Sequence, residues 1–194
     1  MKIRIFIATY LNGEYINRIN RLYCVIYSLL SQTYQNFDIL IHHDGPLEDK
    51  NIKEKIQLID NRISFIETQE RKNLWGFDVR HKLARDSKNI DYILFTNDDN
   101  YYAPIFLDVC VKTMEEYKTD MVFCNFITKS NGYMPVISQT KVYHIDLGCY
   151  MSSYKLVKDT PWEDTTWIAD GLYAEKLAEK TNPIKINSLL FTHN

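Results

Sequence analysis

The sequence predicts an α/β fold: one domain over residues 1–194, built on a mainly parallel central sheet flanked by helices, with a small antiparallel extension. Three observations lead there. Apolar runs of strand length alternate with amphipathic helical stretches from Ile3 to Phe95, the pattern of βαβ units with right-handed crossovers. One run, Tyr92-Ile93-Leu94-Phe95, is apolar throughout, as a strand covered on both faces must be. Near Met121 the pattern changes to shorter strands around the pair Asn131-Gly132, a signal for antiparallel pairing.

In chain order, residues 3–9 are β-branched and apolar and read as a central strand, broken at Leu11-Asn12-Gly13. Residues 18–31 carry Ile19, Leu22, Ile26 and Leu29 at helical spacing. Residues 37–43 form the second strand, ended by the turn signal Asp44-Gly45-Pro46. A charged helix over 48–60 keeps Ile52, Ile56 and Ile59 together, and 63–67 is the third strand. The polar stretch 68–78 reads as a loop, followed by a short helix over 79–88 and the strand at Tyr92. Pro104 opens a helix through Tyr117. Strands are expected at 121–127, 134–138, 141–145 and 184–192, with a helix over 168–180. The change of pattern divides the chain into two halves, residues 1–100 and 101–194.

Composition narrows the partners. The net charge is −2 and no basic block stands out, so general nucleic-acid binding is not indicated. The opening stretch MKIRIFIATY is too short and too charged for a signal peptide, and no stretch approaches the ~18 apolar residues of a membrane span. Cys24, Cys110, Cys124 and Cys149 are scattered without a C-x-x-C pair, which argues against a zinc site and a disulfide scaffold and for a reducing cytoplasm. The 14 tyrosines fit a sugar-binding surface or a compositional bias equally well.

The chemistry concentrates after the Tyr92 strand, in Thr96-Asn97-Asp98-Asp99-Asn100. Adjacent carboxylates repel, and no Lys or Arg lies among them. A hard divalent cation, Mg²⁺ or Mn²⁺, would relieve that repulsion through oxygen ligands. In open α/β sheets ligands bind at the carboxyl ends of strands, where these residues fall. The same residues would also serve as an Asx-rich turn that caps the next helix.

The order of these signals resembles family 2 glycosyltransferases of the GT-A fold, over nearly the whole chain. Ala8-Thr9-Tyr10 looks like that family's first strand end. The segment from Ser28 to Phe37 resembles its "SL-x-x-QTY-x-NF" and is the most specific match. His43-Asp44-Gly45-Pro46 resembles "DDGS", and Phe95 to Asp99 with Pro104 behind resembles "FLDADD…P". Gly148 resembles a glycine before the acceptor loop, Ala169-Asp170 the "ED" of the catalytic base, and His193 a late metal-site histidine. There are departures: Thr96 replaces a carboxylate, His43 an Asp and Pro46 a Ser, and "ARN-x-G" survives only as Val79-Arg80-His81.

The resemblance implies a metal-dependent, inverting, hexosyltransferase-type enzyme of polysaccharide or glycan synthesis. It would move a sugar from a UDP-linked donor to a hydroxyl on a glycan or lipid-linked acceptor. Thr9, Tyr10, Asp44, Asn73, Gly76, Arg80 and Asp98 would meet the nucleotide, with Asp44 on uracil and Asp98 on the ribose or as a second oxygen donor. Asp99 and His193 would hold Mn²⁺ or Mg²⁺ against the diphosphate, and Arg80 or Lys82 would add positive charge. His42 and His43 read as packing residues. Trp162, Trp167 and Trp75 are candidates to stack on sugar rings, and Gly148 to border the acceptor. Residues 161–167 would form a mobile lid. Asp170 and Asp164 are the two candidate bases; Asp170 is favoured because a helix N-terminus stabilises its ionised form. Two alternatives are a degenerate glycosyltransferase-like domain that binds a glycan or a partner protein, and a sugar-phosphate nucleotidyltransferase. The latter would need a glycine-rich basic loop where Tyr10-Leu11-Asn12-Gly13-Glu14 stands.

Overall fold

Strand β1 (Ile3–Thr9) is paired on both sides, with β2 (Phe37–His43) and β4 (Tyr92–Asn97), each parallel to it. Ile3, Ile5 and Ile7 are fully buried, as is Leu94 on β4, while Arg4 stays at the sheet margin, half-buried and paired with Asp38 at 2.6 Å. β3 (Ile63–Glu67) continues the parallel order beyond β2. The crossovers are α1 (Arg18–Leu30), α2 (Lys50–Gln57) and α3 (Phe77–Arg85). α1 buries Leu22, Val25, Ile26 and Leu29 on one face. Asp49 starts α2 by accepting the Asn51 N–H, an N-cap. The computed structural model describes residues 1–74 and 76–194.

The second half holds β5 (Asn100–Tyr102), α4 (Phe106–Tyr117), β6 (Met121–Thr128) and β7 (Met134–Val136). It continues with β8 (Tyr150–Ser153), α5 (Tyr154–Lys158), α6 (Ala169–Glu179) and β9 (Ile184–His193). Among the described residues nine strands make one sheet in the order β3-β2-β1-β4-β8-β6-β9-β5, with β7 paired to β6 beyond the end of β8. The antiparallel pairs are β4/β8, β6/β8, β6/β7 and β5/β9, while β9 runs parallel to β6. This is the mixed α/β domain that the sequence predicts, with a more intrusive antiparallel part. β8, which the sequence analysis misses, is inserted between the parallel half and β6. Residues 141–145, expected as a strand, form a turn instead. His144 N–H donates to the Lys141 carbonyl, and Tyr143 has a left-handed φ of 68° that no strand accommodates.

The segment most specific to the family resemblance has a structural task. Gln32 is buried, donates to the Ser28 and Ala103 carbonyls and accepts the Leu107 N–H. It thereby joins the end of α1 to the turn after β5 and the start of α4. No helix among the described residues is long and apolar enough to cross a membrane. All four cysteines are free, and Cys110, Cys124 and Cys149 are buried.

Candidate functional site

The carboxyl ends of three parallel strands set the site. Ala8 on β1 is in register with His42 on β2 and Asn97 on β4, and Thr9 with His43. Just past this row the chain turns away, leaving a cleft of about 340 Å³ lined by Thr9, Tyr10, Asp44, Asn73, Gly76, Asp98, Asp99 and His193, among others. Gly76 begins α3 with φ of 79°, and a Cβ there would lie 2.8 Å from the Ala8 Cβ. Only a glycine lets this loop descend onto β1 in that conformation.

Asp98 is buried and accepts from the Thr9 hydroxyl at 2.6 Å, with the Arg18 guanidinium 3.7 Å away. Burial pushes its pKa up to about 6, against the opposing pull of Thr9 and Arg18. Asp99 is raised too, again chiefly by burial, and its Oδ1 is buried without a hydrogen-bond partner. An orphaned carboxylate oxygen facing a polar cleft is costly unless a ligand completes it.

His193 ends β9, opposite Asn100 on β5, the residue that follows Asp99, and beside Thr128 on β6. Its Nδ1 lies 2.8 Å from Oδ2 of Asp146, and that bond raises its pKa to about 9. Among the described residues no three His, Cys, Asp or Glu side chains cluster closely enough to hold a metal ion by themselves.

A second cleft of about 190 Å³ adjoins the first and shares Asn97 and His193 with it. Its other lining residues are Phe77, Asp146, Leu147, Trp167 and Asp170. Asp170 sits in the first turn of α6 and accepts the Gly171 N–H at 2.9 Å. The expected dipole effect does not decide its charge. Burial, with the Asp146 carboxylate nearby, raises Asp170 to about 6 despite the helix N-terminus and Arg80.

Several sequence-predicted residues lie elsewhere. Arg80 is 1% exposed and does not reach the cleft surface. Its guanidinium donates to the Thr96 carbonyl at 3.2 Å and to Asn97 Oδ1, so it braces the strand end from beneath. Burial lowers its pKa to about 10, opposed by Asp170, Asp146 and Asp98 among others, and it remains a cation between the two clefts. Lys82 is exposed on α3 and lines neither cleft.

Trp162 is half-buried and lines neither cleft. Its ring stacks on Tyr173 at 4.1 Å and Phe77 at 5.1 Å, anchoring one end of the expected lid in the core. Gly148 is buried behind the site, where a Cβ would meet the Phe191 ring at 2.5 Å; close packing requires the glycine there. Asp164 accepts from the Thr166 N–H and hydroxyl, an Asx-type turn outside both clefts. Trp75 lies outside the described residues. His43 is structural: its Nδ1 donates to the Gly45 carbonyl and Nε2 accepts the Leu11 N–H, which fixes a neutral tautomer.

The structure adds residues that the sequence analysis passes over. Arg71 lies 3.7 Å over the Tyr10 ring, and Tyr15 and Arg18 complete that rim. His42, which the sequence suggests is a packing residue, is buried but also lines the cleft, with both ring nitrogens unpartnered. Asp44 accepts the Lys72 and Asn73 N–H groups, each at 2.8 Å, which ties residues 72–73 to the end of β2. Asn73 at φ 56° and the Arg71–Tyr10 contact depend on that loop conformation; no motif in the sequence encodes it.

Residues 6–163 match the family model of Glycosyl transferase family 2. An uncharacterized glycosyltransferase of Rickettsia bellii (strain RML369-C) is 29% identical over 140 residues, 72% of this chain and 18% of that protein. Glycosyltransferase GlyA of Streptococcus pneumoniae serotype 4 (strain ATCC BAA-334 / TIGR4) is 21% identical over 126 residues, 64% of this chain and 17% of that one. The chain thus matches under a fifth of the length of these relatives. Among solved structures, S. aureus TarS 1-349 superposes with a TM-score of 0.77 at 14% identity, covering 100% of this chain and 60% of that one. The same TarS fragment has been solved with UDP and with UDP-GlcNAc. The mannosyltransferase PcManGT of Pyrobaculum calidifontis, in complex with GDP-Man and Mn²⁺, gives a TM-score of 0.75 at 11% identity, covering 98% of this chain and 56% of that one. At these identities the superpositions establish the GT-A-type fold.

Proposed function

The chain belongs to Glycosyl transferase family 2, and from that membership we propose that it transfers a sugar, with inversion, from a UDP-linked donor to an acceptor hydroxyl in the presence of Mn²⁺ or Mg²⁺. The observation that carries the reading is the junction of the two clefts. One has the Asp98-Asp99 pair at its strand end, the other has Asp170 at a helix start, and Asn97 and His193 line both. An inverting displacement needs that division, with a leaving group stabilised on one side and a base on the other.

On the donor side Asp44 retains acceptor capacity beyond its two backbone bonds and would take a uracil N–H. Asp98, oriented by Thr9, would take a ribose hydroxyl, and Asn73 and Gly76 border the same nucleotide. The complexes of TarS with UDP and UDP-GlcNAc, and of PcManGT with GDP-Man, support a nucleotide-sugar donor. The residues fit a divalent cation: Asp99 has a free buried oxygen, and His193 keeps Nε2 while its other nitrogen is held by Asp146. Two protein ligands suffice for a Mg²⁺-type ion whose remaining positions go to substrate phosphates and water. When bound, the ion supplies Lewis-acid neutralisation of the departing diphosphate.

On the acceptor side Asp170 would remove the hydroxyl proton. Its pKa of about 6 leaves it ionised at neutral pH yet basic enough to accept a proton, the range a general base needs. Arg80 acts through its neighbours, holding Asn97 between the clefts. The direct test is calorimetry with UDP, with and without Mn²⁺, followed by an assay for hydrolysis of UDP-sugars. Mn²⁺-strengthened UDP binding is expected. Failure to bind UDP under either condition would remove the donor assignment.

A further inference from the structure

We infer that Tyr143 and Trp167 form a platform for a pyranose ring of the acceptor, so that the acceptor is a glycan rather than a bare lipid or a peptide hydroxyl. The inference rests on the reading of Asp170 as the base. Trp167 and Tyr143 are 70% and 71% exposed, and their rings meet at 5.6 Å with an interplanar angle of 44°. Large aromatics exposed singly are ordinary; a pair held together at the mouth of a cleft marks a contact surface. Trp167 itself lines the Asp170 cleft.

The pair is held in place. Tyr143 has a φ of 68°, a conformation rare for residues with a Cβ and concentrated at functional positions. Its neighbour Val142 donates its N–H to Glu175 on α6 at 2.9 Å. Gly171, next to Asp170, leaves the room for this: a Cβ there would lie 2.9 Å from the Val142 Cα. The Tyr143 turn is therefore docked on the same helix start that carries Asp170. Trp167 is fixed from the other side, because the Thr166 carbonyl accepts the Ala169 N–H at the beginning of α6.

The chemistry favours a sugar. A pyranose ring presents a C–H face to an aromatic face and hydroxyls around its edge. Asp146, Asp170 and Asn97 stand in the adjoining cleft as partners for those hydroxyls. An alkyl chain in the same place would cover these polar groups without satisfying them.

The test uses the full chain and soluble probes: cellotetraose, chitotetraose, maltotetraose and, as the lipid arm, decyl phosphate below its micellar concentration. Binding is followed by intrinsic tryptophan fluorescence and ligand-observed NMR, with UDP affinity measured on every sample. At least one oligosaccharide should bind the wild type, and Trp167→Ala and Tyr143→Gly should weaken it tenfold or more. Tyr143→Gly removes the ring while suiting the positive φ, so its melting temperature should not fall. Tyr143→Phe should bind like wild type, as should Tyr117→Ala, an exposed ring on α4. Binding of none of the oligosaccharides, binding indifferent to both ring deletions, or decyl phosphate binding that depends on them would overturn the inference. Absent UDP binding in the wild type would instead strike at the donor assignment.

Discussion

His193 on β9 donates through Nδ1 to Oδ2 of Asp146 at 2.8 Å, joining the last strand to the turn before β8. This is the arrangement in which a carboxylate orients a metal-ligating imidazole and leaves its second nitrogen for the ion. Asp146→Asn should therefore weaken Mn²⁺ binding in the presence of UDP by ~10–100-fold, with His193→Ala at least as severe. A Mn²⁺ titration followed by electron paramagnetic resonance measures this. Unchanged affinity in both variants would show that His193 is not a ligand.

The same bond sets a pH dependence. Metal-free His193 is raised to about 9, first by the hydrogen bond to Asp146, so it is protonated at neutral pH. A metal takes the neutral ring and must expel that proton. Mn²⁺ affinity should rise from pH 7 towards pH 9 and level off above it, and His193→Ala should flatten the slope.

Asp99→Ala should uncouple nucleotide from metal. UDP would bind this variant with the same affinity in Mn²⁺ and in EDTA, whereas the wild type should prefer Mn²⁺. Calorimetry in the two buffers separates the cases, and a preserved Mn²⁺ preference in the variant would exclude Asp99 as a ligand.

Asp170→Asn should lower kcat/KM for transfer by ~10²–10⁴-fold while leaving UDP affinity intact, because the base acts on the acceptor. As a base Asp170 would work ionised, and burial raises its pKa to about 6. Activity should thus fall as pH drops through 6, with the plateau above it. Asp164→Asn, in its Asx turn, should behave like wild type; an inactive Asp164→Asn beside an active Asp170→Asn would reverse the assignment.

Gly148→Ala tests a packing role. The added methyl would meet the Phe191 ring at 2.5 Å and the Tyr102 hydroxyl at 2.8 Å. Overpacking of this kind costs about 1–3 kcal/mol, and each kcal/mol lowers Tm by ~2–4 °C in a chain of this size. Urea denaturation should show the loss. An unchanged melting curve together with weaker acceptor binding would return Gly148 to the acceptor site.

The sequence by itself determined the parallel half and the residue types of the site. Ile3 to Phe95 alternates strand and helix because each element writes its burial pattern into a short window, and the strand ends then place Thr9, Asp44 and Asp98 at one sheet edge. Only the tertiary structure decided which distant groups join them. Asp99 meets His193 because β9 threads between β5 and β6, a strand order that no local pattern carries. Arg80 and Trp162 are residue types that often bind ligands, yet folding buries one under Asn97 and stacks the other, half-buried, on Tyr173. Asp170 shows the limit most directly. Its place at a helix start is legible in the sequence and favours the ionised form, but desolvation by the packed chain and the nearby Asp146 outweigh the dipole and set its pKa near 6.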